Sequence, residues 1–296
     1  MRWVWLWCLL CTPLISAADA RQSEHKCSVD RLVFSMIPKK DIDEQLSEYE
    51  PLMALLSDGL GIPVDMVRAS SYQSVMDSLV SGAVDIAVLG PAAYVLARSR
   101  DSGIEAFASL AVQPGSYTPA GSYYYSLLLV NRDSHARQPG DLQGTRVALT
   151  DPASTSGALI PKTEFSDVTR QALGDFFARQ VYAGSHDKAM DALLAGDVDA
   201  AFVSSSRVDE YLARGIIGHD RFRVIWRSSP LHYDPFVFRS GLCASLRHSI
   251  GHLMTESSSR RRLFLKSQQA TDITRVKHQD YQPLERLIDQ NSPSRD

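Results

Sequence analysis

The stretch Met76-Asp77-Ser78-Leu79-Val80-Ser81-Gly82-Ala83-Val84-Asp85-Ile86-Ala87 returns 114 residues later as Met190-Asp191-Ala192-Leu193-Leu194-Ala195-Gly196-Asp197-Val198-Asp199-Ala200-Ala201. Each copy reads as a short helix with apolar residues at helical spacing, ended by a glycine and followed by a buried strand. A helix-to-strand unit used twice at this separation predicts two similar α/β lobes, because a solenoid would stack shorter units side by side. The same offset pairs Tyr72 with His186, each four residues before its Met in the loop that leads into the helix. Ligands of open α/β sheets bind beyond the carboxyl ends of the strands, where such loops gather. Two facing lobes would therefore present Tyr72 and His186 to one cleft from opposite sides.

Between the two copies lies Thr150-Asp151-Pro152-Ala153-Ser154-Thr155-Ser156-Gly157, after the strand-like Arg146-Val147-Ala148-Leu149 and before a helix-compatible segment. Ser154, Thr155 and Ser156 set three hydroxyls beside the N–H groups that a first helical turn leaves unpartnered, at the positive end of the helix dipole. That is the chemistry of an anion cradle. Taken alone, the stretch also reads as turn chemistry with Ser154 as an N-cap.

Outward from these segments, strands are predicted at 31–36, 64–67, 104–112 and 180–182, alternating with helices as βαβ units do. A helix is expected from about Ser47 to Leu60 with Pro51 in its first turn, and others after Gly90-Pro91, Pro161 and Leu242. Ser122 to Asn131 reads as one long strand crossing between the lobes, with the return at 223–226 or 235–238. The first lobe is then residues 21–122 with 236–296, and the second is 123–235 with the anion loop at 151–157.

Arg2, the apolar run from Trp3 to Ile15 and the closing Ala18-Asp19-Ala20 have the form of a cleavable signal peptide over residues 1–20. The run is shorter than the ~18 residues that indicate a membrane span. A lipid-carrying Cys11 is the variant reading, although Leu9-Leu10 lacks the small residues usual before one. Cys27 and Cys243 would remain in the secreted chain, either joined as a disulfide or as two buried thiols. The formal charge of −3 offers no basic excess for nucleic acid or an anionic membrane. No P-loop is present, and His248 and His252 lack the glutamate of H-E-x-x-H. Ser185-His186-Asp187-Lys188 contains S-x-x-K without its companion motifs, and no G-x-S-x-G elbow occurs. None of these stretches supports an enzyme, a cofactor or a metal site.

Together these residues resemble the periplasmic solute-binding proteins of ABC transporters that handle phosphonate, phosphite or phosphate. The similarity runs from Arg31 to about Leu287, and its most specific motif is Asp151 to Gly157 followed by Pro161. Tyr72, Tyr124 in Tyr124-Tyr125-Ser126-Leu127-Leu128-Leu129-Val130-Asn131, the Gly184-Ser185-His186-Asp187 run and Asp234-Pro235 are similar as well. The resemblance implies two Rossmann-like lobes joined by crossing strands, the type II periplasmic binding fold, with the ligand cleft between them. Ser154, Thr155 and Ser156 would hold the oxyanion, Tyr72 and His186 would donate from opposite lobes, Tyr124 would wall the pocket, and Asp234 would be its carboxylate. The implied partners are a small phosphorus oxyanion and an inner-membrane permease, with the chain acting as a monomer in the periplasm. A sensor subunit signalling to a membrane receptor kinase is the alternative use of the same cleft. Ser206 stands where members that bind aminoalkyl phosphonates carry a second carboxylate, which argues against 2-aminoethylphosphonate. An ionised Asp234 beside an anion needs a ligand proton or ammonium to face, so the site is expected to favour a protonated phosphorus oxyanion over sulfate.

Overall fold

The computed structural model describes residues 29–291, so the expected signal peptide and Cys27 lie outside the described residues. In chain order the first elements are β1 (Leu32–Met36), α1 (Ile42–Leu60), β2 (Val64–Val67), α2 (Tyr72–Val80), β3 (Ile86–Val88), α3 (Pro91–Arg100) and β4 (Glu105–Val112). There follow β5 (Tyr123–Tyr124), β6 (Ser126–Asn131), β7 (Arg146–Leu149), the short helices α4 (Ser166–Thr169) and α5 (Leu173–Phe176), and β8 (Arg179–Tyr182). Next come α6 (His186–Ala195), β9 (Ala200–Ser204), α7 (Ser205–Ala213), β10 (Phe222–Arg227), β11 (Leu231–His232) and β12 (Pro235–Phe238). The chain ends through α8 (Ala244–Thr255), α9 (Ser259–Ser267), β13 (Ala270–Arg275) and α10 (Gln282–Asn291).

These strands form a six-stranded sheet ordered β13-β4-β12-β3-β1-β2 and a five-stranded sheet ordered β10-β6-β9-β7-β8. Within them β12-β3-β1-β2 and β6-β9-β7-β8 are the same arrangement. In each, three parallel strands are flanked by one antiparallel strand. The 114-residue offset seen in the repeat also relates the starts of β1 and β7, of β3 and β9, and of α2 and α6. Gly82 and Gly196, at φ of +79° in both cases, supply the left-handed turn after each helix that a Cβ would oppose. The repeated Asp does the same thing in both lobes. Asp85 accepts from Val33 N at 2.8 Å and Asp199 from Arg146 N at 2.8 Å, each tying its turn to the start of a central strand.

Both faces of each sheet are covered, which explains the nearly continuous apolar runs. Phe34, Leu52, Leu56, Phe236 and Phe264 pack on one face of the larger sheet, and Tyr72, Val75, Leu79 and Tyr94 on the other. The smaller sheet carries Met190, Leu193, Val203 and Val208 on one side and Phe165, Phe176, Phe177 and Phe202 on the other. Burying each such side chain contributes about 1.5–3 kcal/mol.

Several elements differ from expectation. Helix α1 starts at Ile42, not near Ser47, because Asp41 caps it by accepting from Asp43 N (3.0 Å) and Glu44 N (3.1 Å). Pro51 consequently sits in the helix interior, where the burial of Leu52, Leu55 and Leu56 offsets its missing hydrogen bond. The expected strand from Ser122 to Asn131 is broken at Tyr125, whose N–H donates to Ser205 Oγ (3.0 Å) and whose carbonyl accepts from Ser205 N (2.9 Å). The segment after Pro161 is π-helical before α4. Strand β10 stays in the smaller sheet and β12 in the larger, while β5 pairs antiparallel with β11 as a two-stranded ribbon between them. Cys243 is disulfide-bonded. Arg260 and Arg261 are engaged by Asp58 and Asp272. No helix among the described residues is long and apolar enough to cross a membrane.

Candidate functional site

The carboxyl ends of the parallel strands in the two sheets face each other, and the loops there meet around one small cavity. Tyr72, Tyr124, Ser154, Thr155, Ser156, His186 and Asp234 all line it. The centre of a water-sized sphere can move through about 20 Å³ of it. That matches the few oxygens of one tetrahedral oxyanion and leaves little room for a long substituent.

The anion loop is built so that both readings of its sequence apply. Ser154 does cap the following turn, accepting from Gly157 N at 3.1 Å, and it lines the cavity together with Tyr72. The turn it opens, Thr155–Leu159, is π-helical rather than α-helical, and its first N–H groups remain without intrahelical acceptors. Asp151 pins the loop by accepting from Ala153 N (2.9 Å) and, across the cleft, from Tyr72 N (3.4 Å). Ser126 Oγ donates to Ser156 O at 2.6 Å and fixes the far side to β6. Thr155 Oγ1 accepts from Ala92 N at 2.9 Å, so the N-terminus of α3 points at the loop from the larger sheet. Two helix N-termini therefore converge on the cavity, a favourable field for an anion.

The polar side chains are held in donor states. Burial, and after it the nearby Asp234, pushes the Tyr72 and Tyr124 phenols well above their usual pKa, so both keep their protons. Tyr124 lines the cavity beside Thr155 and Ser156. His186 is the first residue of α6, and its Nδ1 accepts from Ser204 N at 3.1 Å. The neutral ring must then carry its proton on Nε2. Burial, then Arg207 and Lys39, lowers the His186 pKa from 6.5 to about 3. The unfolded chain binds this proton more readily, so the contribution is complete above pH 6.5 and is lost as pH falls toward 3. Melting temperature is expected to decline with acidification across that window, with a shallower slope in His186→Gln; equal slopes would mean that His186 is not the titrating group.

Three site residues escaped the sequence. Lys39, just past the carboxyl end of β1, forms an ion pair with Asp234, the two side chains being 19% and 12% exposed. Burial lowers the Lys39 pKa, but Asp234 leads the groups that outweigh it, and the net direction is upward. Asp234 thus has a resident cation. The expectation that it must face a ligand proton or ammonium, and with it the argument against sulfate, is corrected accordingly. Arg207, buried at the start of α7, donates to Asp187 from Nε (3.1 Å) and Nη2 (2.7 and 2.9 Å), and also binds Glu210. Tyr233 completes the wall. The position of Lys39 at a strand's carboxyl end was the available signal. Ser206 lines the cavity and bonds Ser204 Oγ at 2.8 Å. The S-x-x-K pattern is a helix cap, Ser185 Oγ accepting from Lys188 N at 3.2 Å.

The lobes are also tied along the rim. Lys40 lies between Glu48 of α1 and Glu210 of α7, the latter at 2.6 Å, and Arg214 reaches Glu44 at 2.9 Å. Asp187 N donates to Lys39 O at 3.4 Å. The cleft is therefore closed.

The family described as "ABC transporter, phosphonate, periplasmic substrate-binding protein" matches residues 34–281. The chain is 29% identical to the phosphonates-binding periplasmic protein of Escherichia coli over 241 residues, 80% of this chain and 68% of that one. It is 27% identical to the phosphate-import protein PhnD of Mycolicibacterium smegmatis over 219 residues, 72% of this chain and 67% of that one. Among solved structures, a binding-protein component of a Pseudomonas aeruginosa phosphonate ABC transporter superposes with a TM-score of 0.78 at 22% identity, covering 87% and 85% of the two chains. PhnD1 of Prochlorococcus marinus, solved with methylphosphonate, gives 0.76 at 16% identity, covering 88% and 98%. The fold is thus the type II periplasmic binding fold, and with most of its length matched this chain belongs to the periplasmic substrate-binding proteins of phosphonate ABC transporters.

Proposed function

We propose that this chain captures a small phosphorus oxyanion, phosphonate, phosphite or phosphate, in the cleft and delivers it as a monomer to an inner-membrane permease. The observation that carries the reading is the convergence of neutral donors from both lobes on a cavity of oxyanion size. Ser154, Thr155, Ser156 and His186 Nε2–H come from the side of the smaller sheet, Tyr72 and the α3 N-terminus from that of the larger, and Tyr124 from the β5–β11 ribbon. Each hydrogen bond to a charged oxygen contributes about 1.5–3 kcal/mol. The Lys39 ammonium supplies the positive charge.

Closure about the segments beside the β5–β11 ribbon would shed water from the ligand and complete the rim contacts, presenting one closed surface to the permease. The family's place in import supports this over a sensor subunit. The family's members are substrate-binding proteins of transporters, which supports capture without turnover.

The test is a thermal shift on phosphate-free protein with phosphate, phosphite and methylphosphonate. A ligand at a hundred times its Kd stabilises by about 2.7 kcal/mol. At least one compound is expected to raise Tm, and Ser154→Ala/Thr155→Ala is expected to lose that rise relative to its own unliganded Tm. No rise with any of the three would send the function to an unrelated ligand.

A further inference from the structure

We propose that Lys39 is the specificity-determining residue of this cleft: it supplies the cation that Asp234 requires, and so restricts the site to phosphorus oxyanions that carry no ammonium group. This rests on reading the cleft as a phosphorus-oxyanion site and names the class of ligand it takes.

A carboxylate that lines an anion cavity repels its ligand unless a proton or a cation stands between them. Either the ligand or the protein can bring that cation, and the protein brings it here, as the Lys39–Asp234 pair. The backbone that carries Lys39 is fixed. Buried Gln45 donates from Nε2 to Ile37 O at 2.8 Å and accepts from Lys39 N through Oε1 at 3.0 Å. From the other lobe, Asp187 N reaches Lys39 O. Asp234 is fixed as well, its carbonyl accepting from Ser109 Oγ at 3.1 Å and its chain locked by Pro235.

An ammonium has three N–H donors, and one bond to Asp234 leaves others for an anion's oxygens. A ligand with its own ammonium would find Asp234 taken and a like charge beside it. Among the described residues no second carboxylate lines the oxyanion cavity to relieve this: Asp187 is held by Arg207 and Ser206 is neutral, and of the acids in the adjoining groove Glu48 and Glu210 are paired with Lys40 while Asp209 accepts from Tyr117 N and Thr118 N. Lys39 also lines both the oxyanion cavity and the larger groove of about 380 Å³ beside it, so it stands where a substituent would leave the cavity.

Methylphosphonate and aminomethylphosphonate differ by one ammonium-bearing nitrogen, and titration calorimetry on the full chain separates them. Wild type is expected to bind methylphosphonate at least tenfold more tightly. In Lys39→Met, which keeps length and removes charge, the preference is expected to move at least tenfold toward aminomethylphosphonate. That gain should vanish in Lys39→Met/Asp234→Asn, which a mere gain of space would not do. Lys39→Gln is the second variant should the methionine fail to fold, with the same shift expected. Equal wild-type affinities, or a preference unmoved in the folded variants, would overturn the role of Lys39. Wild type that binds neither compound, nor phosphate or phosphite, would instead overturn the oxyanion reading on which it stands.

Discussion

A Gly157→Ala chain is expected to lose oxyanion affinity by about two orders of magnitude and to unfold more easily by about 1–3 kcal/mol. A Cβ at this position would stand 1.9 Å from Thr150 Oγ1, 2.6 Å from its Cγ2 and 2.7 Å from its Cβ. Thr150 has nowhere to go, being fully buried with its N–H given to Gly157 O (3.2 Å) and its carbonyl taken by Gly184 N (2.8 Å). The loop must shift instead, and with it the N–H groups and hydroxyls aimed at the ligand. Losing two charge-assisted hydrogen bonds, at about 1.5–3 kcal/mol each, accounts for the affinity. Adding Thr150→Ala removes the two nearest atoms and should restore part of both quantities. Calorimetry of the single and double variants checks this, and unchanged affinity in Gly157→Ala would show that the loop does not form the site.

Arg207→Leu should be the most destabilising change at the cleft, lowering Tm by roughly 10 °C, because breaking a buried ion pair leaves an uncompensated charge at about 3–5 kcal/mol. Arg207 is 4% exposed and holds both Asp187 and Glu210. Burial already raises the Asp187 pKa above 3.8, with Arg207 pulling against it. Without the guanidinium, the folded-state pKa rises further above the unfolded one. The penalty is then full at neutral pH and is relieved as Asp187 takes up a proton on acidification. The gap in Tm between wild type and variant should therefore narrow from about pH 7 toward about pH 4. A gap that stays constant would place the cost in lost packing instead. Because Asp187 follows His186 in α6, ligand binding should weaken in the same variant.

Neighbouring positions show how far residue order reaches. Asp41 and Pro51 belong to one helix, yet residue order marks only the proline, and as a first-turn residue. A cap needs no periodicity, and the burial of Leu52 and Leu56 decides that the helix runs through. Ser205 is an ordinary residue in Ser204-Ser205-Ser206, but its N–H and hydroxyl take the backbone groups of Tyr125 and end a strand. Pro38-Lys39-Lys40 has the composition of a solvated turn. Nothing local distinguishes a lysine whose carboxylate partner, Asp234, lies in a remote part of the chain.

Sequence alone determined what recurs or has local chemistry. The duplicated helix-to-strand unit specified two α/β lobes, since apolar periodicity and a stopping glycine are legible within a dozen residues. The hydroxyl run marked the anion loop, and the shared offset placed Tyr72 and His186 at equivalent helix starts. Tertiary structure decided the charges: which cation stands on Asp234, which nitrogen of His186 bears its proton, and which guanidinium compensates Asp187. Each depends on burial and on distances between segments remote in the chain, and those arise only once the lobes face one another.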